Sequence, residues 1–426
     1  MINQIISKTP LSKFNITVIL IIIFTTSLFN YNYIVSFETY SDSLVWGKII
    51  SKKINPNDTK YGLQSVTYND ENTLKIVLNK DPKTDFYLNN YEIIDNSKYE
   101  FGVYKSQFGI QGYFYNFLYN YVVKKVENIL GLNFRFSIFI LKLFQVFLLS
   151  LILVMICINI KKLYGNVYFF VYMFSFLFSP WIIKYASNLY FFTPVMFLPM
   201  LVSLIALKNI NNYHYYLPLF FLAVLIKSLS GYEFLSTIML SGVVFPIIAL
   251  IDDNINKRRI LQFIFLSSIF MFAGFFIAFI LHSGLRGENL YLGFENILNE
   301  DIIRRTWPIN SDNDGSLILT ILKYFTLGWL HDNLFVGING ILFFPIIFCV
   351  TLYLVSKSDN NKNLLKFITF LSLPFSWFIL AKNHSFIHYH LNTLLWYFGF
   401  IQFCLIIIIQ NIYQNKNKII SIWKKL

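Results

Sequence analysis

The sequence predicts an all-α polytopic membrane protein, a bundle of about ten transmembrane helices with a large outer loop that carries amphipathic helices. Three observations predict it. Hydrophobic residues make up 56% of the 426 and charged residues only 13%, with a mean hydropathy of +0.55, a balance foreign to soluble enzymes. Ten stretches are apolar enough to cross a hydrocarbon core of about 30 Å, which takes about 20 residues each. Finally, the basic clusters between those stretches recur on one side. The net charge of +13 comes from 35 basic against 22 acidic residues; in a membrane protein such an excess belongs to cytoplasmic loops and does not imply nucleic acid.

The first apolar run, 16–29, follows Lys8 and Lys13 and ends in Asn30-Tyr-Asn-Tyr33 without a small-residue cleavage site. It reads as a retained helix with a cytoplasmic N-terminus. Outer loop 1, about 35–134, holds turn-rich polar sequence around an alternating run, Thr73-Leu-Lys-Ile-Val-Leu78, that suits a strand. It closes on the aromatic stretch 108–123 and Lys124-Lys125, which suits a helix in the headgroup zone or one packed on the bundle. Helix two, 137–158, ends at Lys161-Lys162, and helix three, 167–183, carries a Ser-Pro-Trp break at 179–181. Helix four runs through Pro194 and Pro199 to Lys208; helix five, 216–226, is short and stops at Lys227. Helix six, 234–251, returns to the basic loop Lys257-Arg-Arg259, and helix seven, 261–281, opens onto outer loop 2, about 282–332. Within that loop, 317–329 is too short to span and reads as interfacial or re-entrant. Helices eight (334–355), nine (367–381) and ten (391–409) complete the bundle, and the tail ends in Lys424-Lys425. Ten spans put every basic cluster on the N-terminal side, so the chain reads as a single membrane-embedded domain, 1–426, in the inner (plasma) membrane with both termini cytoplasmic.

On this topology the outer face collects the polar residues that apolar helices do not need. Glu38 and Asp42 follow helix one, four apart, and share a face if that helix runs on. Beside them fall Tyr40, then Lys184 and Asn188, Lys227 and Glu233, Arg286, Arg304 and Arg305 next to Trp307-Pro308, and His331 and Asp332. Lys382, His384, His388 and His390 lie between helices nine and ten. Ionisable groups at the ends of apolar helices pair or line a cavity. Lys227 and Glu233 can pair across the turn at Gly231. His384 and His388 have the spacing of two imidazoles on one helix face, but no Glu or Cys completes a zinc set; imidazoles beside a phosphate are the better reading. Cys157, Cys349 and Cys404 all fall in apolar runs, as small core residues do. There is no P-loop and no dinucleotide fingerprint, and no cytoplasmic loop is long enough for a nucleotide-binding domain. An activated group must then come from within the membrane, such as a polyprenyl phosphate.

A first helix, a long outer loop opening with acidic residues (Phe37-Glu-Thr-Tyr-Ser-Asp42), an amphipathic stretch at 109–123, short outer loops and basic residues placed for a phosphate together resemble the GT-C superfamily of integral membrane glycosyltransferases. The resemblance rests on layout and singles out no family within it. It implies inverting transfer of a sugar from a polyprenyl-phosphate donor to a glycan, lipid or protein acceptor on the extracytoplasmic face, with membrane lipids and a donor-synthesising enzyme as partners. It implies that an acidic residue after helix one is the catalytic base. Asp42 is expected to take that role because it lies farther from the apolar run, with Glu38 in support. Arg304, Arg305, Lys227, Lys382 and His384 would hold the donor phosphate, and Glu233, His388, His390 and Tyr40 would hold the acceptor or support these groups. Superfamily members with adjacent acidic pairs leave room for a divalent metal; here the two carboxylates are four apart. A capsule or O-antigen type polymerase has a similar layout. A flippase would place charges deep in several helices or show an internal repeat, and neither is evident.

Overall fold

Runs of Leu, Ile, Phe and Val can enter a bilayer only if every backbone polar group is satisfied within the segment, so helix is the one local solution for them. The computed structural model describes residues 13–29, 38–68, 99–252, 256–306, 316–327, 333–335, 338–358 and 361–423. Those residues are almost wholly helical, with two short two-stranded ribbons. Four helices are long and apolar enough to span a membrane: Phe134–Tyr164, Leu235–Asp252, Lys257–Arg286 and Asn361–Leu380. Two bent pairs raise the number to six: Asn166–Leu177 with Pro180–Ala186, bent by 60°, and Tyr389–Phe398 with Phe400–Asn415, bent by 53°. The first bend is the Ser-Pro-Trp break. Ser179 ends one helix and caps the next by accepting from Ile182 N at 3.1 Å, with Pro180 in its first turn.

Helix α1 is Lys13–Leu28 and α2 is Thr39–Ile54. The apolar first helix therefore does not run on through the acidic residues. Glu38 adopts a left-handed backbone (φ 47°) and a separate helix starts after it. Strands β1, Leu63–Tyr68, and β2, Tyr99–Tyr104, pair antiparallel with Leu63 opposite Tyr104 and Tyr68 opposite Tyr99. The expected strand at 73–78 lies outside the described residues. Helix α2 lies flat on this ribbon because position 47 is glycine; a Cβ there would run into the Gln64 carbonyl. Helix α3, Ile110–Leu118, continues through a π turn, Tyr119–Val123, into α4, Lys124–Leu130. Its outer side exposes Phe117, Tyr121, Val122, Ile129 and Leu130, as an interfacial helix would.

The spine of the bundle is α5, Phe134–Tyr164, against which α1, α2 and the helices Asn166–Leu177 and Leu198–Lys208 gather. Two buried amides fix the loops at one end. Gln145 on α5 donates to the carbonyls of Ala186 and Asn188, both at 2.8 Å, and accepts from Tyr115 Oη at 2.5 Å. Gln111 on α3 donates to Tyr190 O and Ser230 O, both at 2.9 Å. Loops that would otherwise be free are thus held in one register by side chains that have nowhere else to bond.

Helix α6, Leu217–Ser230, runs four residues past its expected end, so Lys227 lies within its last turn. It packs on α7, Lys257–Arg286, and α7 and α8, Asn361–Leu380, flank α9, Leu235–Asp252. The stretch 290–306 forms a helix with a π segment at Ile297–Ile303, and Leu317–Leu327 is a short helix of eleven residues. The cap of α7 at the opposite end is Asn256, which accepts from Arg259 N at 3.3 Å.

Candidate functional site

The two carboxylates after α1 have different surroundings. Asp42 is 1% exposed; its Oδ2 meets Lys142 Nζ at 2.5 Å and its Oδ1 accepts from Leu189 N at 2.7 Å. Burial raises its pKa against the opposing pull of Lys142. Asp42 thus pins α2 to α5 and to the loop 187–192, and no acceptor arriving from water can reach it. Glu38 retains 29% of its side-chain surface, and its Oε1 lies 3.2 Å from His390 Nε2. Its carbonyl accepts from Asn188 Nδ2 at 3.3 Å, and Asn188 Oδ1 accepts from Tyr190 N at 3.1 Å. Tyr40 is 67% exposed, and its carbonyl accepts from Ser43 Oγ.

Lys227 and Glu233 flank Gly231 and converge, but not as a simple pair. Lys227 is 1% exposed and donates to the Gly231 carbonyl at 2.8 Å, closing the end of α6. Glu233 Oε1 faces Arg305 Nη2 at 3.7 Å and accepts from Tyr190 Oη at 3.3 Å. Gly231 has φ 142°, and a Cβ there would collide with Gln107 and Glu233, so only glycine suits this turn. Burial opposes the charge of Arg305, but Glu233 and Asp301 outweigh it and raise its pKa. Arg304 is exposed, and its carbonyl accepts from Asn383 Nδ2 at 2.9 Å. That bond, with Thr306 Oγ1 to Leu380 O at 2.9 Å, docks the arginine stretch on the short helix Lys382–Ile387.

The histidines join these two halves. The rings of His384 and His388 are 4.8 Å apart and those of His388 and His390 6.0 Å apart. Burial, then Arg305, lowers the pKa of His384 far below the ordinary imidazole range; burial and His390 lower that of His388, with Glu38 and Glu233 pulling the other way. A row of imidazoles therefore runs from Glu38 to Arg305, and its inner members are neutral near pH 7. Among the described residues no group of three or more His, Cys, Asp or Glu is placed to hold a metal ion.

Beside this row begins an apolar groove of about 410 Å³ between α9, α7 and α8, lined by Leu235, Met239, Met271, Phe275, Trp377 and Leu380 among others. The groove opens between α7 and α8, where Ser236, Ser268 and Ser376 leave room. Trp377 forms its polar end, with its ring 5.8 Å from that of His384. Trp377 Nε1 and His384 Nδ1 are both buried with no hydrogen-bond partner among the described residues. Two orphaned nitrogens at the mouth of a lipid-sized groove call for a partner that the protein does not supply.

The structure thus brings together Glu38, Glu233, Arg305, His384, His388 and His390, with Lys227 and Asp42 buried behind them and Arg304 and Lys382 at the edge. Tyr40 does not join. His331, Asp332, Trp307 and Pro308 lie outside the described residues. Sequence reasoning missed Lys142, Tyr190, Gln107 and Trp377. Lys142 had a signal, being a lone cation within an apolar run; the others depend on contacts between distant segments. No protein-family model, curated protein or solved structure matches this chain.

Proposed function

We propose that the chain is an inverting glycosyltransferase of the inner membrane that takes a sugar from a polyprenyl-phosphate donor and passes it to an acceptor hydroxyl at the extracytoplasmic face. In this reading the ten expected spans are the six long or paired ones plus the shorter apolar helices at 16–28, 198–208, 217–230 and 343–356. One observation carries it: an apolar groove ends at two orphaned N–H-bearing rings, next to an arginine and a row of histidines, with an accessible carboxylate at the far end. A lipid phosphate has that anatomy, with an apolar tail and an anionic head.

The polyprenyl tail occupies the groove, and Trp377 Nε1, His384, Arg305 and Arg304 meet the phosphate oxygens, Arg by two parallel hydrogen bonds. Lys227 and Lys382 add positive charge from behind and from the edge. The acceptor oxygen attacks the anomeric carbon as the bond to the phosphate oxygen breaks, and the phosphate leaves with that electron pair. The base takes the acceptor's proton. We assign the base to Glu38, because a base must reach the hydroxyl within about 3 Å and Asp42 is sealed behind Lys142. His390 steadies the Glu38 carboxylate; Glu233 holds Arg305 in place, and His388 bridges the two ends.

The test is transfer from a synthetic polyprenyl-phosphate sugar by purified protein in lipid nanodiscs. Glu38→Gln should reduce the rate by about 10²–10⁴, the usual worth of a general base, with donor binding intact. Wild-type levels of transfer in E38Q, together with a folded but inactive D42N, would return the base to Asp42. Absence of both donor binding and transfer in the wild type would end the transferase reading.

A further inference from the structure

A second cavity, of about 580 Å³, lies away from the lipid groove, between the β1–β2 ribbon and the junction of α7 with the stretch 290–306. Its polar walls are Tyr61, Lys105, Arg286, Glu288 and Asn296. We infer that this cleft binds a neutral, hydroxyl-rich saccharide, which on the transferase reading is a sugar of the acceptor remote from the reacting hydroxyl.

The walls are built by fixed groups. Arg286, with 4% of its side chain exposed, is clamped by Glu300 Oε2 at 2.5 Å and Asp301 Oδ2 at 3.1 Å, and it also donates to the Lys105 carbonyl. His282 shares that carbonyl at 3.1 Å and meets Tyr232 Oη at 3.0 Å. The cleft is thereby tied through Tyr232 to the lining of the lipid groove. Asn296 Nδ2 reaches the Arg286 carbonyl at 3.5 Å.

Charge decides the ligand class. The Arg286 cation is more than balanced by its two carboxylates, and Lys105 and Glu288, of opposite charge, both line the cleft, so an anion would gain little there. Two buried polar atoms remain without partners among the described residues: Tyr61 Oη and Arg286 Nε. Tyr61 lies close enough to Arg286 for the two to interact electrostatically. A phenol beside a donor, next to an amide, a carboxylate and the apolar surfaces of Val103, Leu285 and Leu292, suits sugar hydroxyls on one side and C–H faces on the other. The segment 105–109 separates this cleft from the Glu233 cluster; its Gln107 is 1% exposed, and both amide atoms lack partners among the described residues. An acceptor spanning both places needs more than one sugar.

Saturation-transfer NMR on the purified full-length chain in nanodiscs tests this without donor or turnover. The probes are maltotriose, chitotriose and mannotriose, with trigalacturonate as the acidic counterpart. At least one neutral trisaccharide should bind. Tyr61→Phe and the exposed-site variant Glu288→Gln should each weaken it by about fivefold, the order of one lost hydrogen bond. Circular dichroism and a monodisperse profile establish that each variant is folded; if Y61F is not, E288Q decides. Binding of none of the neutral probes, equal binding by the folded variants, or preference for trigalacturonate overturns the inference. Saccharide binding by a protein that transfers nothing would leave the cleft standing and remove the transferase.

Discussion

Two acidic residues four apart differ in role because one of them has a buried partner. The Asp42–Lys142 pair is nearly sealed, with side-chain exposures of 1% and 7%, so removing one member strands the other. Lys142→Met should cost about 3–5 kcal/mol of stability, whereas replacing both with apolar residues of similar volume should recover most of it. Melting in detergent, followed by tryptophan fluorescence, measures this; K142M melting with the wild type would show that the pair holds nothing. The histidines give a pH signature at the same scale. Their folded pKa values lie below the ordinary 6.5 because of burial, Arg305 and their own neighbours, and Glu38 and Glu233 offset this only at His388. The unfolded chain therefore binds protons first as pH falls, so the stability present above pH 6.5 is lost progressively below it. A His384→Asn, His388→Asn variant should show a flatter melting profile between pH 6.5 and about pH 5; an unchanged slope would place these rings in water. Lys142 shows why only part of this was legible in the sequence. A lone lysine in a run of Leu and Phe announces that a partner exists, but not which residue it is.

At the scale of elements, the helices were readable and their mutual placement was not. Apolar runs and Pro180 mark where helices start and break, because those are local effects. The β1–β2 ribbon escaped notice because its two strands are separated by thirty residues and pair only through each other. The groove escaped because it is a gap between α7, α8 and α9, formed where Ser236, Ser268 and Ser376 come together. Ser236 and Ser376 even hydrogen-bond across it at 3.1 Å. Filling that gap tests its role. Ser268→Trp should lower affinity for a long-chain polyprenyl phosphate by about tenfold, or about 1.4 kcal/mol, and should leave a short-chain phosphate unaffected. Photocrosslinking with a diazirine-bearing donor analogue, mapped by mass spectrometry, reads this directly. Equal labelling of wild type and S268W would place the tail elsewhere.

At the scale of the whole molecule, the two ends of the bundle differ in chemistry. One end gathers Glu38, Asp42, Asn188, Lys227, Glu233, Arg286, Arg305 and the histidines, held in turns and short helices. The other carries Lys161 and Lys162 at the end of α5, the Asn211–Arg259 hydrogen bond and the Asp252–Lys366 ion pair. On the proposed reading, the charge rule puts the Lys161–Lys162 end in the cytoplasm and the histidine end outside. The chain should therefore place Asn254 in the cytoplasm and Asn72 and Asn313 outside. The segment Leu317–Leu327 is the decisive element, because it is an eleven-residue helix. At 1.5 Å per residue it covers roughly half the hydrocarbon thickness. If it nevertheless spanned, the lysines at 357, 362 and 366 would change sides. Phosphatase fusions at Asn72 and Asn313 should be active, as should a green fluorescent fusion at Asn254. Fluorescence at Asn72 would put Glu38 and the histidine row on the wrong side of the membrane for an externally delivered acceptor. An inactive phosphatase at Asn313 with an active one at Asn72 would instead show that another segment crosses between them, and the site would have to be rebuilt without Arg304 and Arg305.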